Sequence, residues 1–350
     1  MSARDRIEPG ALAEHPSAQA DLAACANLLR GGSRSFHAAS RVLPRRVSEP
    51  AAALYAFCRV ADDAVDLGHD RHAALALLRE RLDRVYSGHP APQAIDRAFA
   101  ATVARYRIPR TLPEALLEGF AWDAQERTYE TLSDVAAYAA RVAGTVGAMM
   151  TLIMGRREPA VLARACDLGV AMQFTNIARD VGEDAANGRL YLPRQWLREA
   201  GIDVEAFLAD PRPCPGLFVA TKRLLAVADG LYARSMSGIA ALPGDCRGGI
   251  LAARALYAEI GHVALRRGPT RTLERAVVPR SRQIALVAGA LARAPFLSGA
   301  ADDTPPLPEV AFLVTAAARS GRAELPAQGL EERIAWLVDL FERLERRDAR

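Results

Sequence analysis

Lysine is almost missing from this 350-residue sequence: Lys222 is the only one, and arginine supplies the rest of the 45 positive charges that stand against 41 acidic ones. With a formal net charge of +4 and no polybasic tract, no nucleic-acid partner is expected. Aromatic residues are few, at 6%. The five cysteines (Cys25, Cys58, Cys166, Cys214 and Cys246) are odd in number and form no CxxC pair, which argues against a disulfide framework or a zinc site. No apolar run reaches the ~20 residues that a spanning helix needs. The best candidates, 142–154 and 284–297, are bounded or broken by Arg141, Arg156 and Arg293, and both read as buried core helices. Residues 1–10 are polar and lack the charged-then-apolar pattern of a secretion signal, so a cytoplasmic protein is expected, peripheral to the inner membrane face at most. Strand-like alternation is scarce. Nor is there a strand–GxGxxG–helix unit, so no nicotinamide cofactor on a Rossmann fold is expected.

What remains is helix. Hydrophobic residues make up 51% of the chain, enough to build a large core and too many for general disorder. Alanine, the best helix former, accounts for about a fifth of the residues. Periodicity and breakers such as Pro44, Pro109, Gly188 and Pro193 predict helices near 19–30, 34–42, 50–67, 72–87, 92–106, 112–128, 132–154 and 159–185. Further helices are predicted near 193–200, 214–240, 246–267, 274–294, 308–319 and 328–347. The expected fold class is all-α. A polar segment, 1–18, precedes one large helical domain, 19–298. A linker and a C-terminal amphipathic helix fill 299–350, with an apolar stripe through Leu337, Leu340, Phe341 and Leu344.

Two of these helices carry polar stripes on faces where core is expected. Tyr55, Arg59, Asp62 and Asp66 fall at i, i+4, i+7 and i+11, which places them on one helical face beside Asp63. Gln173, Asn176, Asp180 and Asp184 repeat the arrangement, flanked by Arg179 and Glu183. Both helices are otherwise apolar, so these carboxylates sit in partly buried walls. Unpaired ions in low dielectric cost several kcal/mol each, so the stripes require countercharge. In a chain with one lysine, arginine or a bound cation must supply it. All-oxygen ligands at i, i+4 suit Mg2+, with Mn2+ as a substitute; Mg2+ commonly takes one or two carboxylates plus phosphate oxygens of a substrate.

Four segments together resemble the squalene/phytoene synthase family. They are Ser33-Arg-Ser-Phe36 with Leu43-Pro44, the stripe over 55–66, Val142-Ala-Gly-Thr-Val-Gly147, and QFTNIARDVGEDAANGRLYLP over 173–193. The resemblance runs from about residue 30 to 195, more weakly to about 290, and is strongest to the bacterial members that make 15-cis-phytoene. It implies an all-α isoprenoid-synthase fold around a central cavity. It also implies the head-to-head joining of two geranylgeranyl diphosphates to phytoene through a cyclopropyl diphosphate, the first committed step of carotenoid biosynthesis.

The same resemblance assigns residues. Asp62, Asp63, Asp66, Asp180, Glu183 and Asp184, with Asn176, match positions that hold Mg2+ between two diphosphates. Arg59, Arg179 and Arg275 match diphosphate-contacting arginines, Gln173 a polar cavity position, and Ser33, Arg34 and Phe36 a lid. Tyr55, Tyr191 and Tyr257, with Arg59, match positions near the reacting centre. A desaturase acting on the product is the implied downstream partner. At one point the sequence departs from the family: Arg141 stands where many relatives have tyrosine, with Tyr138 one turn earlier. Two alternatives are carried forward, a C30 synthase using farnesyl diphosphate to make dehydrosqualene or squalene, and a non-catalytic helical assembly protein of the same fold. Small residues along 144–151 serve either long prenyl tails or close helix packing.

Overall fold

The computed structural model describes residues 16–32, 42–66 and 70–321. Ser33, Arg34 and Phe36, most of the helix expected at 34–42, and the C-terminal helix at 328–347 lie outside the described residues, as does the side chain of Asp66. The described residues contain helices and turns and no strand. In chain order the helices are α1 (Pro16–Gly32), α2 (Arg45–Asp66), α3 (Arg71–Tyr86), α4 (Ala94–Tyr106), α5 (Thr111–Ala124) and α6 (Leu132–Ile153). They continue as α7 (Pro159–Ala186), α8 (Arg194–Glu199), α9 (Val204–Ala209), α10 (Pro215–Ala241), α11 (Gly244–Arg267), α12 (Arg280–Arg293) and α13 (Ala311–Arg319).

Local chemistry sets many of the ends. Asp70 caps α3 by accepting from the Ala73 amide at 2.9 Å. Thr131 and Asp134 form a reciprocal capping box at the start of α6. Proline occupies the first turn of α7 and of α10, where its missing N–H costs nothing. Helix α2 begins five residues before the expected start and carries Pro50 inside it. Pro50 cannot donate to the carbonyl of Arg46, and the hydroxyl of Tyr106 donates to that oxygen instead, at 2.7 Å. The short helix α9 was not expected; Asp203 caps it through the Ala206 amide.

Helix α7 runs through the middle, packing on α6, α10, α11 and α13, while α2 packs on α1, α3, α4 and α5. One main core extends from Leu43 to Ala317, so Val310, Leu313 and Val314, beyond the expected division at 298/299, bury their side chains with the rest. Residues 302–305 are tied down by a buried network. Arg164, with no exposed surface, reaches Asp167 at 2.9 Å, Asp302 at 2.5 Å and the carbonyl of Thr304 at 3.0 Å. Arg234 adds a second cation to Asp167 at 3.1 Å. Burial pushes the Asp167 carboxyl up, and the two arginines oppose it.

Two expectations about apolar segments are decided here. The 142–154 run is the second half of α6, a helix long and apolar enough to cross a membrane but mostly buried inside the protein. Gly147 of this helix serves close packing and also lines the central cavity. A Cβ on Gly147 would lie 2.4 Å from the Ala165 carbonyl oxygen of α7, and one on Gly169 of α7 would lie 2.4 Å from that of Ala143. The 284–297 run is not a core helix, contrary to expectation. It lies in α12, which buries only Ala290 and leaves Ile284 65% exposed. The helix expected at 274–294 starts only at Arg280, after Pro279, because 272–278 crosses the end of α7 as irregular chain.

Candidate active site

A cavity of about 1000 Å³ opens between α2, α6, α7 and α11. Tyr55, Arg59 and Asp62 face it from α2; Gln173, Asn176, Arg179, Asp180, Glu183 and Asp184 face it from α7. Tyr191, Tyr257 and Arg275 also line it. The far part is apolar, with Val146, Met150, Leu168, Met172 and Leu242 among its walls. The cavity is thus amphiphilic, ionic at the ends of α2 and α7 and hydrocarbon-like beyond. Asp63 does not line it; it pairs with Arg59 at 2.6 Å and holds that guanidinium in place.

Arginine supplies the countercharge that the stripes demanded. Arg59 lies 3.6 Å from Asp62 in addition to its Asp63 pair. Arg179 forks onto Asp180 at 2.5 and 2.8 Å. Arg275 reaches across from the 272–278 segment to Glu183 at 2.6 Å and Asp180 at 3.4 Å. That reach depends on Gly182, because the Leu273 carbonyl oxygen sits 2.1 Å from where a Cβ would be. Asp184 is left least compensated. Burial, then the neighbouring Asp180 and Glu183 charges, push its carboxyl up to about 7.

Sequence reading missed Asp123, and left any tyrosine near Arg141 without a role. Asp123, on α5, lines the cavity and accepts from the hydroxyls of Tyr138 at 2.9 Å and Tyr191 at 2.8 Å. Tyr129 packs against both, tilted on Tyr138 at a ring distance of 5.2 Å and stacked on Tyr191 at 5.8 Å. Burial and the Asp123 charge raise all three phenols, so they stay protonated. A π-helical turn, Ala140–Gly144, interrupts α6 two residues after Tyr138. Tyr138 lines the cavity, whereas Arg141 stacks over Trp122 at 4.2 Å and pairs with Glu118 at 3.0 Å. A tyrosine therefore reaches the cavity from one turn earlier than the expected position. The only sequence signal for Asp123 was an acid at the end of an unusually apolar helix, whose Leu116, Leu117 and Phe120 are buried.

Does the donor set suit a metal? Among the described residues no three acidic, histidine or cysteine side chains converge on one point. The oxygens nevertheless fit a hard divalent cation: Asp62, Asp180 and Asp184 are all-oxygen donors on the cavity wall, and the Asn176 Oδ1 is buried there without a hydrogen-bond partner.

Comparison with known proteins agrees with this geometry. The squalene/phytoene synthase family pattern matches residues 29–282. A phytoene synthase of Rhodobacter capsulatus is 54% identical over 308 residues, covering 86% of this chain and 91% of that protein. One from Cereibacter sphaeroides is 51% identical, covering 95% of each. Among solved structures, a dehydrosqualene synthase in complex with ligand superposes with a TM-score of 0.74 at 28% identity, over 79% of this chain and 98% of that one. A squalene synthase from Alicyclobacillus acidocaldarius gives 0.66 at 26% identity, over 71% and 94%. With the two carboxylate stripes facing one amphiphilic cavity and these likenesses spanning most of the sequence, the chain belongs to the squalene/phytoene synthase family.

Proposed function

We infer that this protein is a prenyl transferase that condenses two geranylgeranyl diphosphates head to head into phytoene, by way of a cyclopropyl diphosphate. The observation that carries this reading is the amphiphilic cavity, whose ionic end is built from facing Tyr55–Arg59–Asp62 and Gln173–Asp184 stripes. High identity to phytoene synthases over most of the chain supports the C20 substrate over the C15 one.

Asp62, Asp66, Asp180, Asp184 and Asn176 would hold Mg2+, or Mn2+ in its place; when bound it neutralises charge on a leaving diphosphate. The remaining chemistry belongs to the protein. Arg59, Arg179 and Arg275 now pair with carboxylates and present planar forks suited to phosphate oxygens. Asp123 orients the Tyr138 and Tyr191 hydroxyls, whose protonated state keeps them as donors rather than nucleophiles that would trap a carbocation. The apolar walls keep water from allylic cations. For each C40 product, the double bond of one chain attacks the allylic cation of the other as its diphosphate leaves, and loss of a proton closes the cyclopropane through two new carbon–carbon bonds. The second diphosphate leaves in the rearrangement that exchanges those ring bonds for one bond between the two C1 carbons, and loss of a second proton completes the triene.

Purified protein incubated with geranylgeranyl diphosphate and Mg2+, without reductant, tests this. Two diphosphates released per conjugated-triene C40 product is the expected result. Turnover of farnesyl diphosphate alone, or a product that forms only with NADPH, points instead to the C30 reading, and no diphosphate release at all to a non-catalytic protein.

A further inference from the structure

Helix α12 breaks the usual rule for a surface helix. A helix packed on one side normally turns a charged face to water. Between Gln283 and Arg293, α12 has no polar residue, yet Ile284, Ala285, Ala288, Gly289 and Ala292 are exposed. Its inner side is fully engaged: Val287 and Ala290 pack with Ile239, Leu251 and Ala252. Large apolar side chains extend the outer face at both ends, with Val277 61% exposed before the helix and Phe296 86% exposed after it.

Charge along this stretch of chain has one sign. Between Glu274 and Asp302 the chain carries Arg275, Arg280, Arg282 and Arg293 and no acidic residue. Arg280 and Arg293 have no acidic partner among the described residues, while Arg282 pairs with Glu259 at 3.2 Å. The face also adjoins the cavity opening, since Ala276, Val277, Val278 and Gln283 line the cavity.

We propose that the outer face of α12, with Val277 and Phe296, docks on the surface of an anionic lipid bilayer. An apolar strip flanked by arginines matches a helix lying in the plane of the headgroups, with its apolar side in the acyl boundary and its cations among anionic headgroups. A second copy of this chain is the poorer occupant. Isologous pairing would bring identical arginines together across the two-fold axis, with no carboxylate in the stretch to offset them. The docking surface stands on exposure and charge alone. Its use in passing prenyl tails between membrane and cavity rests on the function proposed above, so binding and catalysis are measured separately.

The test is vesicle flotation of the full chain, without substrate. Wild type is expected to float with phosphatidylcholine vesicles that contain phosphatidylglycerol, to be released by salt, and to float poorly with phosphatidylcholine alone. Ile284→Asp/Phe296→Asp should lower the partition coefficient by roughly two orders of magnitude. Leu77→Asp/Val219→Asp, which alters two exposed apolar residues elsewhere, should float like wild type. Circular dichroism and turnover of detergent-dispersed substrate should be unchanged in the Ile284/Phe296 variant. Flotation of that variant at the wild-type level overturns the proposal, as does equal binding to neutral vesicles or no wild-type binding. A wild-type dimer that the same substitutions dissociate also overturns it, in favour of a second copy.

Discussion

Gly182→Ala is the most informative single perturbation of the site, because it adds one methyl group that touches no substrate. The Leu273 carbonyl oxygen lies 2.1 Å, and its carbon 2.8 Å, from the added Cβ. That is roughly 1 Å or more inside van der Waals contact, so the 272–278 segment must move outward by about that distance. Arg275 rides on this segment and would draw away from Glu183 and Asp180, now at 2.6 and 3.4 Å. Overpacking of this kind costs about 1–3 kcal/mol, and an edge segment yields more easily than a core helix, so the fold survives. The expected loss in kcat/KM is on the order of 10²-fold, the scale for a positioning group misplaced by ~1 Å. Steady-state diphosphate release with geranylgeranyl diphosphate, alongside a thermal melt, measures both quantities. A cycle with Arg275→Ala sharpens the result: the double variant should be little worse than either single one, since both remove the same contact. Gly182→Ala with near-wild-type kcat/KM would refute the idea that close passage of this segment places Arg275.

Other outcomes follow from the same geometry. Asp180→Asn should abolish turnover while leaving the helical circular-dichroism spectrum intact, and a fully active variant would sink the assignment of Asp180 to the diphosphate end. Arg164→Met leaves the buried Asp167 with only the half-exposed Arg234 and should cost about 3 kcal/mol in urea unfolding, at the low end for a broken buried pair. Arg164→Met/Asp167→Leu should recover part of that loss, and an Arg164→Met variant as stable as wild type would contradict the network's role. The Asp184 carboxyl, raised to about 7, holds a proton in the folded chain that the unfolded chain releases near its ordinary value of ~4. The metal-free fold should therefore lose stability as pH rises between those two values, because the folded state binds the extra proton. Mg2+ affinity should rise across the same window, with proton release on binding near pH 6. Calorimetry in two buffers of different ionisation heat checks this, and identical heats would refute it.

Periodicity carried the helices where apolar spacing and breakers agreed. The ends of α7, for example, fall within a residue of expectation because Pro159 starts it and Gly188, at φ +72, follows it closely. It failed where a nonlocal partner intervened. Pro50 sits inside α2 because Tyr106, 56 positions later, satisfies the carbonyl that proline leaves open. The 284–297 segment has the composition of a core helix but has neighbours on one side only. No local pattern distinguishes those two situations.

By itself the sequence determined the all-α class, the two carboxylate stripes and the need for arginine or metal to balance them. These follow from residue type at helical spacing, which is a property of a few consecutive turns. Tertiary structure alone decided that both stripes face one cavity and that Asp123 gathers Tyr138 from α6 and Tyr191 from the segment between α7 and α8. It alone set Gly147 against the backbone of α7, and let Gly182 bring Arg275 onto Glu183. Each of those depends on which backbones approach within a few ångströms of one another, and that distance is set by packing across the whole chain.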